Sequence, residues 1–173
     1  DDALLARTAA FFLCSPANPQ GTVASPAYLQ RLIELARRFD FVVLADECYS
    51  EIYTAEPPPG MLAAAAKSGN LDNVLVFNSL SKRSSVPGLR SGFMAGDPDI
   101  VRRVRTLRSY GGALPSVPVL AAAAALWRDE VHVAENRARY AGKFDIAKRI
   151  IGNRFGYYRP AGGFFLWLEV GDG

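Results

Sequence analysis

The chain has 173 residues, of which half are hydrophobic and 21% are charged, a composition that excludes a disordered chain and predicts one domain or a little more. Its 20 basic and 17 acidic side chains leave a net charge of only +3, which favours neither nucleic acid nor an anionic membrane as a partner. No signal-peptide pattern opens the chain, no apolar run could cross a bilayer, and the two cysteines, Cys14 and Cys48, lack metal-ligand or redox spacing. We therefore expect a cytoplasmic protein with reduced thiols and no metal site.

Apolar runs and turn signals predict alternating strands and helices along most of the chain. The first helix has Ser25 as its N-cap and Pro26 in its first turn. The predicted strands are 8–14, 41–45, 74–77, 91–95, 157–159 and 164–170, and the predicted helices are 25–39, 61–67, 97–109, 117–127 and 130–151, with a loop at 110–112. Strand 41–45 is apolar at every position, which is typical of a parallel strand covered on both faces. This order predicts an α/β fold with a mostly parallel sheet between helices.

Three of these strands are followed by side chains suited to chemistry. The first strand leads to Asn18, the second to Asp46 and Tyr49, and the third to Lys82. Because ligands in open parallel sheets bind at the carboxyl ends of the strands, we expect these groups to share one site.

The third strand end favours a Schiff base beside a phosphate group. A lysine amine is a good nucleophile when it is partly desolvated or close to positive charge. Ser79 and Ser81 can donate hydrogen bonds to phosphate oxygens, and Arg90, eight residues after Lys82, can bind the same group through two N–H groups.

Each of these residues also has a simpler interpretation when taken alone. Asn18 can form a turn, Asp46 can cap one, Tyr49 can be half-buried and Lys82 can be solvated. His132, the single histidine, is interpreted as a surface or helix-packing residue. The joint occurrence of the strand-end residues favours chemistry over these alternatives.

Together the segments 18–21, 46–49 and 79–82, with Arg90, resemble the pyridoxal-phosphate-dependent aminotransferases of fold type I, class I/II. The amino-acid sequences of segments 80–84, 87–93 and 162–167 are similar to those of bacterial N-succinyldiaminopimelate aminotransferases. The resemblance implies the pyridoxal-phosphate transferase fold and an enzyme that moves an amino group between an amino acid, glutamate above all, and a keto acid. The keto acid would be N-succinyl-2-amino-6-oxopimelate of lysine biosynthesis.

The resemblance also implies a role for each candidate residue. Lys82 would bind pyridoxal 5′-phosphate covalently and move a proton, and Asp46 would pair with the pyridine nitrogen. Asn18 and Tyr49 would contact the 3-oxygen of the ring. The phosphate would be bound by Ser79, Ser81 and Arg90. Residues 110–112 would lie near the cofactor phosphate of a dimer partner, so the resemblance implies a homodimer.

Members of this family extend further at both ends, and both termini of this chain look cut. We expect residues 1–129 to form the later part of the large cofactor-binding domain. Residues 130–173 would form the interdomain helix and the start of a small α+β C-terminal domain. Two alternatives stay open at this point: a lyase or synthase of the same fold, and an aminotransferase-like sensor domain of a transcription regulator.

Overall fold

Four strands form one mixed sheet in the computed structural model, which describes residues 1–112 and 114–171. The strands are β1 Ala10–Cys14, β2 Val42–Asp46, β3 Val74–Ser79 and β4 Gly92–Gly96, and they lie in that order. Strands β1, β2 and β3 run parallel, while β4 is antiparallel to β3. Asp46 is opposite Cys14 on one side and Phe77 on the other, so the carboxyl ends of the parallel strands are level.

Seven α-helices occur in the described ranges. They are α1 Asp2–Leu5, α2 Pro26–Phe39, α3 Met61–Lys67, α4 Leu80–Arg83, α5 Pro98–Gly111, α6 Val117–Arg128 and α7 Val131–Ile151, with short 3-10 turns at Pro87–Leu89 and Arg154–Gly156. Helix α2 begins as the sequence predicts, because the Ser25 side chain accepts a hydrogen bond from the Tyr28 N–H at 3.2 Å. No helix in this part of the chain combines the length and the apolar character needed to span a membrane.

The hydrophobic core lies between one face of the sheet and helices α2 and α3. Its buried members are Leu29, Leu32, Ile33, Ala36, Phe41, Val43, Ala45, Met61, Ala65, Val74 and Val76. Burial of each larger aliphatic side chain contributes about 1.5–3 kcal/mol, so this layer holds the sheet and its strand ends in place.

The other face of β1 and β2 is less covered than the sequence predicted. Val43 and Ala45 are buried, but Val42 and Leu44 are only partly buried, and the Phe12 side chain on β1 is 79% exposed. The expectation that strand 41–45 is covered on both faces is therefore wrong for the described chain, because its Phe12 side is open at β1 and only partly covered at β2, although Leu75 on β3 is buried on that side.

Several predicted elements differ from the structure. Helix α5 continues to Gly111, through most of the predicted loop 110–112. Residues 157–159 and 164–170 do not form strands, because no neighbouring strand in the described chain pairs with them. The single bridge in this region joins Tyr53 to Gly162. Ala113 and the last two residues of the proposed 130–173 unit, Asp172 and Gly173, lie outside the described residues.

The segment 157–163 packs against the loops that follow β1 and β2. The Gly162 N–H donates to the Gly21 carbonyl at 3.0 Å, and the Gly163 N–H donates to the Ile52 carbonyl at 2.7 Å. The Tyr158 hydroxyl reaches the Gln20 carbonyl at 2.7 Å. These contacts bring the C-terminal part of the chain to the strand ends.

Candidate active site

The ends of β1, β2 and β3 bring the predicted residues to one edge of the sheet. Asn18 lies in the loop after β1, Asp46 ends β2, Tyr49 lies in the following turn, and Ser79 ends β3. Lys82 lies in helix α4, a single turn that starts directly after β3, rather than in an open loop. The arrangement follows from the parallel order of the strands, which the alternating sequence pattern predicted.

Tyr49 is the common neighbour of this group. The residue is 6% exposed, and its hydroxyl accepts a hydrogen bond from the Asn18 side-chain amide at 3.1 Å. The Lys82 amine lies 5.8 Å from the centre of the same ring. Burial raises the pKa of the Tyr49 hydroxyl above its ordinary value, and the nearby Cys14 and Asp46 add to this effect. The phenol therefore remains a protonated hydrogen-bond donor at neutral pH.

Because it directly follows an all-apolar strand, Asp46 is expected from the sequence to be a buried carboxylate, and this prediction is wrong, since Asp46 is exposed. As the last residue of β2 it lies beyond the part of the strand that α2 and α3 cover. Its carboxylate accepts a hydrogen bond from the Cys48 N–H at 3.0 Å. Within the described ranges Asp46 takes part in no ion pair. The carboxylate is thus oriented by the backbone and available to a cationic ligand.

The pKa of the Cys48 thiol is affected by both Asp46 and Lys82. Burial raises the pKa of Cys48 to about 12, with further contributions from a hydrogen bond to Asp46 and from its charge, while the Lys82 charge acts in the opposite direction. Both charged groups therefore act on one small region. The sequence pattern had assigned no role to this cysteine.

Ser79 and Ser81 are linked to each other beside the lysine. The Ser79 side chain caps α4 by accepting a hydrogen bond from the Ser81 N–H at 3.1 Å, and the two hydroxyls are 2.8 Å apart. The Ser79 hydroxyl also lies 3.2 Å from the Ser91 carbonyl on the next segment. Hydroxyl groups can rotate, so these two can turn toward an anionic ligand.

Arg90 is not hydrogen-bonded to either of these serines. Its backbone is left-handed, with φ of 50°, and its guanidinium donates to the Pro87 carbonyl at 2.9 Å. It lines an open cavity of about 620 Å³ with Asn78, Ser91 and others between β3, β4, α5 and α6. This volume is in the range of small-molecule sites.

The structure adds an aromatic group that the sequence-based assignment of site residues missed. The Phe164 ring centre lies 5.0 Å from the Lys82 amine and 5.4 Å from the Tyr49 ring, and Phe164 stacks on Tyr140 at 5.2 Å. The glycine pair before Phe164 permits this approach, since a Cβ on Gly162 would lie 2.4 Å from a Pro16 side-chain carbon. The Gly-Gly-Phe-Phe motif at 162–165 stands out in the sequence, but local sequence patterns could not predict its contact with the lysine.

The comparisons with known proteins agree with this fold. The family model described as "Aminotransferase class I and II" matches residues 1–172. A crystal structure of an aminotransferase from Neisseria meningitidis superposes with a TM-score of 0.92 at 42% identity, covering 100% of this chain and 44% of that one. The chain belongs to the class I and II aminotransferases, a family that depends on pyridoxal phosphate.

Two curated relatives show how the family varies around this chain. The 4-dedimethylamino-4-oxo-anhydrotetracycline transaminase OxyQ of Streptomyces rimosus is 36% identical over 93% of this chain and 45% of its own length. The LL-diaminopimelate aminotransferase of Moorella thermoacetica is 32% identical over 96% of this chain and 43% of its own length. The chain spans less than half the length of these relatives.

Proposed function

We propose that the protein containing this chain is a pyridoxal-phosphate-dependent aminotransferase whose reactive group is the amine of Lys82. The observation that carries the proposal is that the Lys82 amine lies 5.8 Å from the centre of the Tyr49 ring, in the turn that follows Asp46, at one edge of the sheet. A ligand placed there meets an amine and a carboxylate together. This arrangement suits a group that carries both an aldehyde and a ring nitrogen.

The chemistry of the remaining side chains fits the cofactor. Asp46, which has no ion-pair partner in the described chain, is suited to a protonated pyridine nitrogen. The Asn18 amide and the Tyr49 hydroxyl would contact the 3-oxygen. Ser79, Ser81 and Arg90 would bind the phosphate, and each side chain is a hydrogen-bond donor.

The chain's own residues would act as follows. Lys82 would hold the cofactor through its amine, and the amine, once free, would take the proton from the substrate α-carbon and deliver it to the C4′ carbon of the cofactor. When bound, pyridoxal phosphate supplies an electron-poor ring that delocalises the charge left by proton removal. Asp46 would keep the ring nitrogen protonated, while the buried Tyr49 hydroxyl would remain a donor throughout the cycle.

We further propose glutamate as the amino donor and N-succinyl-2-amino-6-oxopimelate as the keto acid, a step of lysine biosynthesis. The wording of segments 80–84, 87–93 and 162–167 supports this choice, as does the relative that is named for diaminopimelate. Another relative, which is 36% identical to this chain, is named for a tetracycline substrate, so relatives at this level of sequence identity differ in substrate. The same residues can serve a lyase or synthase, so product analysis belongs in the test.

We also propose how the enzyme is divided into domains, its oligomeric state and its location. Residues 1–129 and 130–173 would belong to a large and a small domain, and two copies would form a homodimer. Support for the dimer comes from exposed apolar side chains at and after the end of α5: Leu107, Tyr110, Leu114 and Val117. The free thiols Cys14 and Cys48 support a reducing, cytoplasmic location.

The proposal is tested by assaying amino transfer from glutamate to a panel of keto acids, including the succinylated one, with products identified by mass spectrometry. Lys82→Ala should abolish transfer, whereas Lys67→Ala, an exposed lysine at the end of α3, should leave it unchanged. Amino transfer by Lys82→Ala at the wild-type rate would refute the assignment of Lys82 as the reactive group. Elimination or condensation products in place of a new amino acid would favour the lyase or synthase alternative.

A further inference from the structure

One face of α7 meets the lysine and its backbone. His132, Asn136 and Tyr140 are spaced four residues apart, so they lie one above another on the same side of the helix. Each contacts the lysine turn, defined as residues 82–85, or the ring that lies beside the Lys82 amine. We call these three residues the α7 stripe.

Asn136 binds the backbone at the lysine itself. Its side-chain amide donates to the Lys82 carbonyl at 3.1 Å and lies 3.4 Å from the Arg83 carbonyl. Its side-chain oxygen accepts a hydrogen bond from the Ser85 hydroxyl at 2.9 Å. The two carbonyls are at the end of the single-turn helix α4, where helical partners are lacking, so Asn136 satisfies groups that would otherwise need water.

His132 anchors the next residue of the turn. One ring nitrogen lies 2.8 Å from the Ser84 hydroxyl, and the other lies 2.8 Å from the Asp129 carboxylate at the α6–α7 corner. The carboxylate orients the ring, and the hydrogen bond with His132 holds the pKa of Asp129 below its ordinary value.

Ser84, His132 and Asp129 are linked in the same order as a hydrolase catalytic triad. The surroundings of Ser84 indicate instead that His132 holds the lysine turn in place. Ser84 is only 9% exposed, and its N–H already donates to the Leu80 carbonyl at 3.0 Å rather than to a reacting oxygen. The cavity beside it is about 130 Å³, smaller than the cavities that hold substrates.

Tyr140 acts at the other end of the lysine. Its ring stacks on Phe164, with 14° between the planes, and Phe164 lies 5.0 Å from the Lys82 amine. The α7 stripe therefore holds the Lys82 backbone directly and the surroundings of its amine through one ring.

We propose that the α7 stripe positions Lys82, with Asn136 and His132 fixing the backbone of the lysine turn and Tyr140 fixing Phe164 beside the amine. This inference rests on the proposed function of Lys82. His132 and Asn136 are positioning residues, since they act through the lysine turn and do not themselves reach the amine. The interpretation of His132 as a packing residue is thereby extended to a defined task.

The test compares Asn136→Asp with Glu135→Gln in the complete protein. Asn136→Asp keeps the side-chain shape and the acceptor for Ser85, but loses the N–H donors to the two carbonyls. Glu135 is exposed on the neighbouring position of the same helix and serves as the matched control. His132→Gln removes the other anchor and provides a second variant should Asn136→Asp fold poorly.

Two measurements are made on variants whose thermal melting matches that of the control. Amide hydrogen exchange of a peptide covering 80–86, without cofactor, should accelerate about tenfold in Asn136→Asp and in His132→Gln. The rate at which added pyridoxal phosphate becomes linked to Lys82, followed by absorbance, should fall about tenfold in the same variants, as expected for one or two lost hydrogen bonds.

Exchange and linkage rates equal to those of Glu135→Gln would overturn the inference while leaving the proposed function intact. Failure of wild-type Lys82 to link the cofactor would instead contradict the proposed function. The exchange measurement, which needs no cofactor, would then still decide whether the stripe holds the turn.

Discussion

The Phe164 ring lies between the Lys82 amine, 5.0 Å from the ring centre, and the Tyr140 ring, 5.2 Å away. A ring in this position attracts a cationic amine through its negative face and shields it from water. The relationship joins the short helix after β3 to a segment near the C-terminal end of the chain.

Replacement of Phe164 by leucine should therefore impair the reactive lysine. Leucine would leave the amine less shielded from water and less fixed in position, which predicts a decrease of kcat/KM by about two- to thirtyfold, or about 0.5–2 kcal/mol. Steady-state kinetics with glutamate measure this effect. Phe155→Leu, at a ring that is 54% exposed, is the control and should change kcat/KM little. Equal effects of the two substitutions would contradict the role given to Phe164.

Asp46→Asn should remove activity without unfolding the protein. Asp46 is exposed, and an asparagine oxygen can still accept the Cys48 N–H, so the thermal midpoint should be nearly unchanged. Loss of the charge opposite a ring nitrogen predicts a decrease in kcat of about a hundredfold to a thousandfold. The exposed Asp72→Asn serves as control. Retention of full kcat in Asp46→Asn would remove Asp46 from the site.

The thiols should be unreactive in the folded protein at mildly alkaline pH. Burial is the main cause that raises the pKa of Cys14, and it raises the pKa of Cys48 from 9.0 to about 12. At pH 8 a thiol reagent should react slowly with the native protein and rapidly with both cysteines after unfolding in urea. Fast reaction of native Cys48 would contradict the raised pKa of its thiol.

The same shift predicts a stability change with pH. The folded state keeps the Cys48 proton more tightly than the unfolded state, so this contribution to stability is fully present below pH 9.0. It should be lost as the pH rises toward about 12, which urea melts at several pH values would measure. Cys48→Ala should reduce that alkaline loss, and an unchanged alkaline slope would contradict the prediction.

Gly21 should tolerate no side chain. Its φ is +71°, and a Cβ would lie 2.4 Å from the Pro160 Cβ and 2.5 Å from the Gly162 carbonyl oxygen. Gly21→Ala should therefore lower the free energy of unfolding by about 2–4 kcal/mol. Gly142 lies inside α7 with nothing within 4 Å, so Gly142→Ala should raise that free energy by about 0.5–1 kcal/mol. Chemical denaturation checks both signs.

Much of the site was predictable because local patterns specify parallel strands. Apolar runs defined β1, β2 and β3, and a parallel sheet must then bring Asn18, Asp46 and Lys82 to one edge. The exposure of Asp46 was not predictable, since it depends on which parts of the protein cover the strand end. The apolar character of strand 41–45 likewise could not show that one face stays partly open.

Contacts between distant segments were beyond local patterns. The C-terminal apolar runs have strand composition, yet a strand needs a hydrogen-bonding neighbour, and 164–170 finds none in the described chain. The contact of Asn136 with the Lys82 carbonyl depends on the angle between α7 and the lysine turn, which helical spacing does not determine. The four-residue spacing of the α7 stripe places 132, 136 and 140 on one side of the helix, but the sequence does not show which residues that side contacts.

Covalent binding of the cofactor by Lys82 is tested most directly by chemical trapping. The complete protein is mixed with pyridoxal phosphate, reduced with borohydride, digested and mapped by mass spectrometry. We expect the cofactor on the peptide containing Lys82, and none on that peptide in Lys82→Ala. Labelling spread over Lys67, Lys143 and Lys148, or no labelling of Lys82, would contradict it.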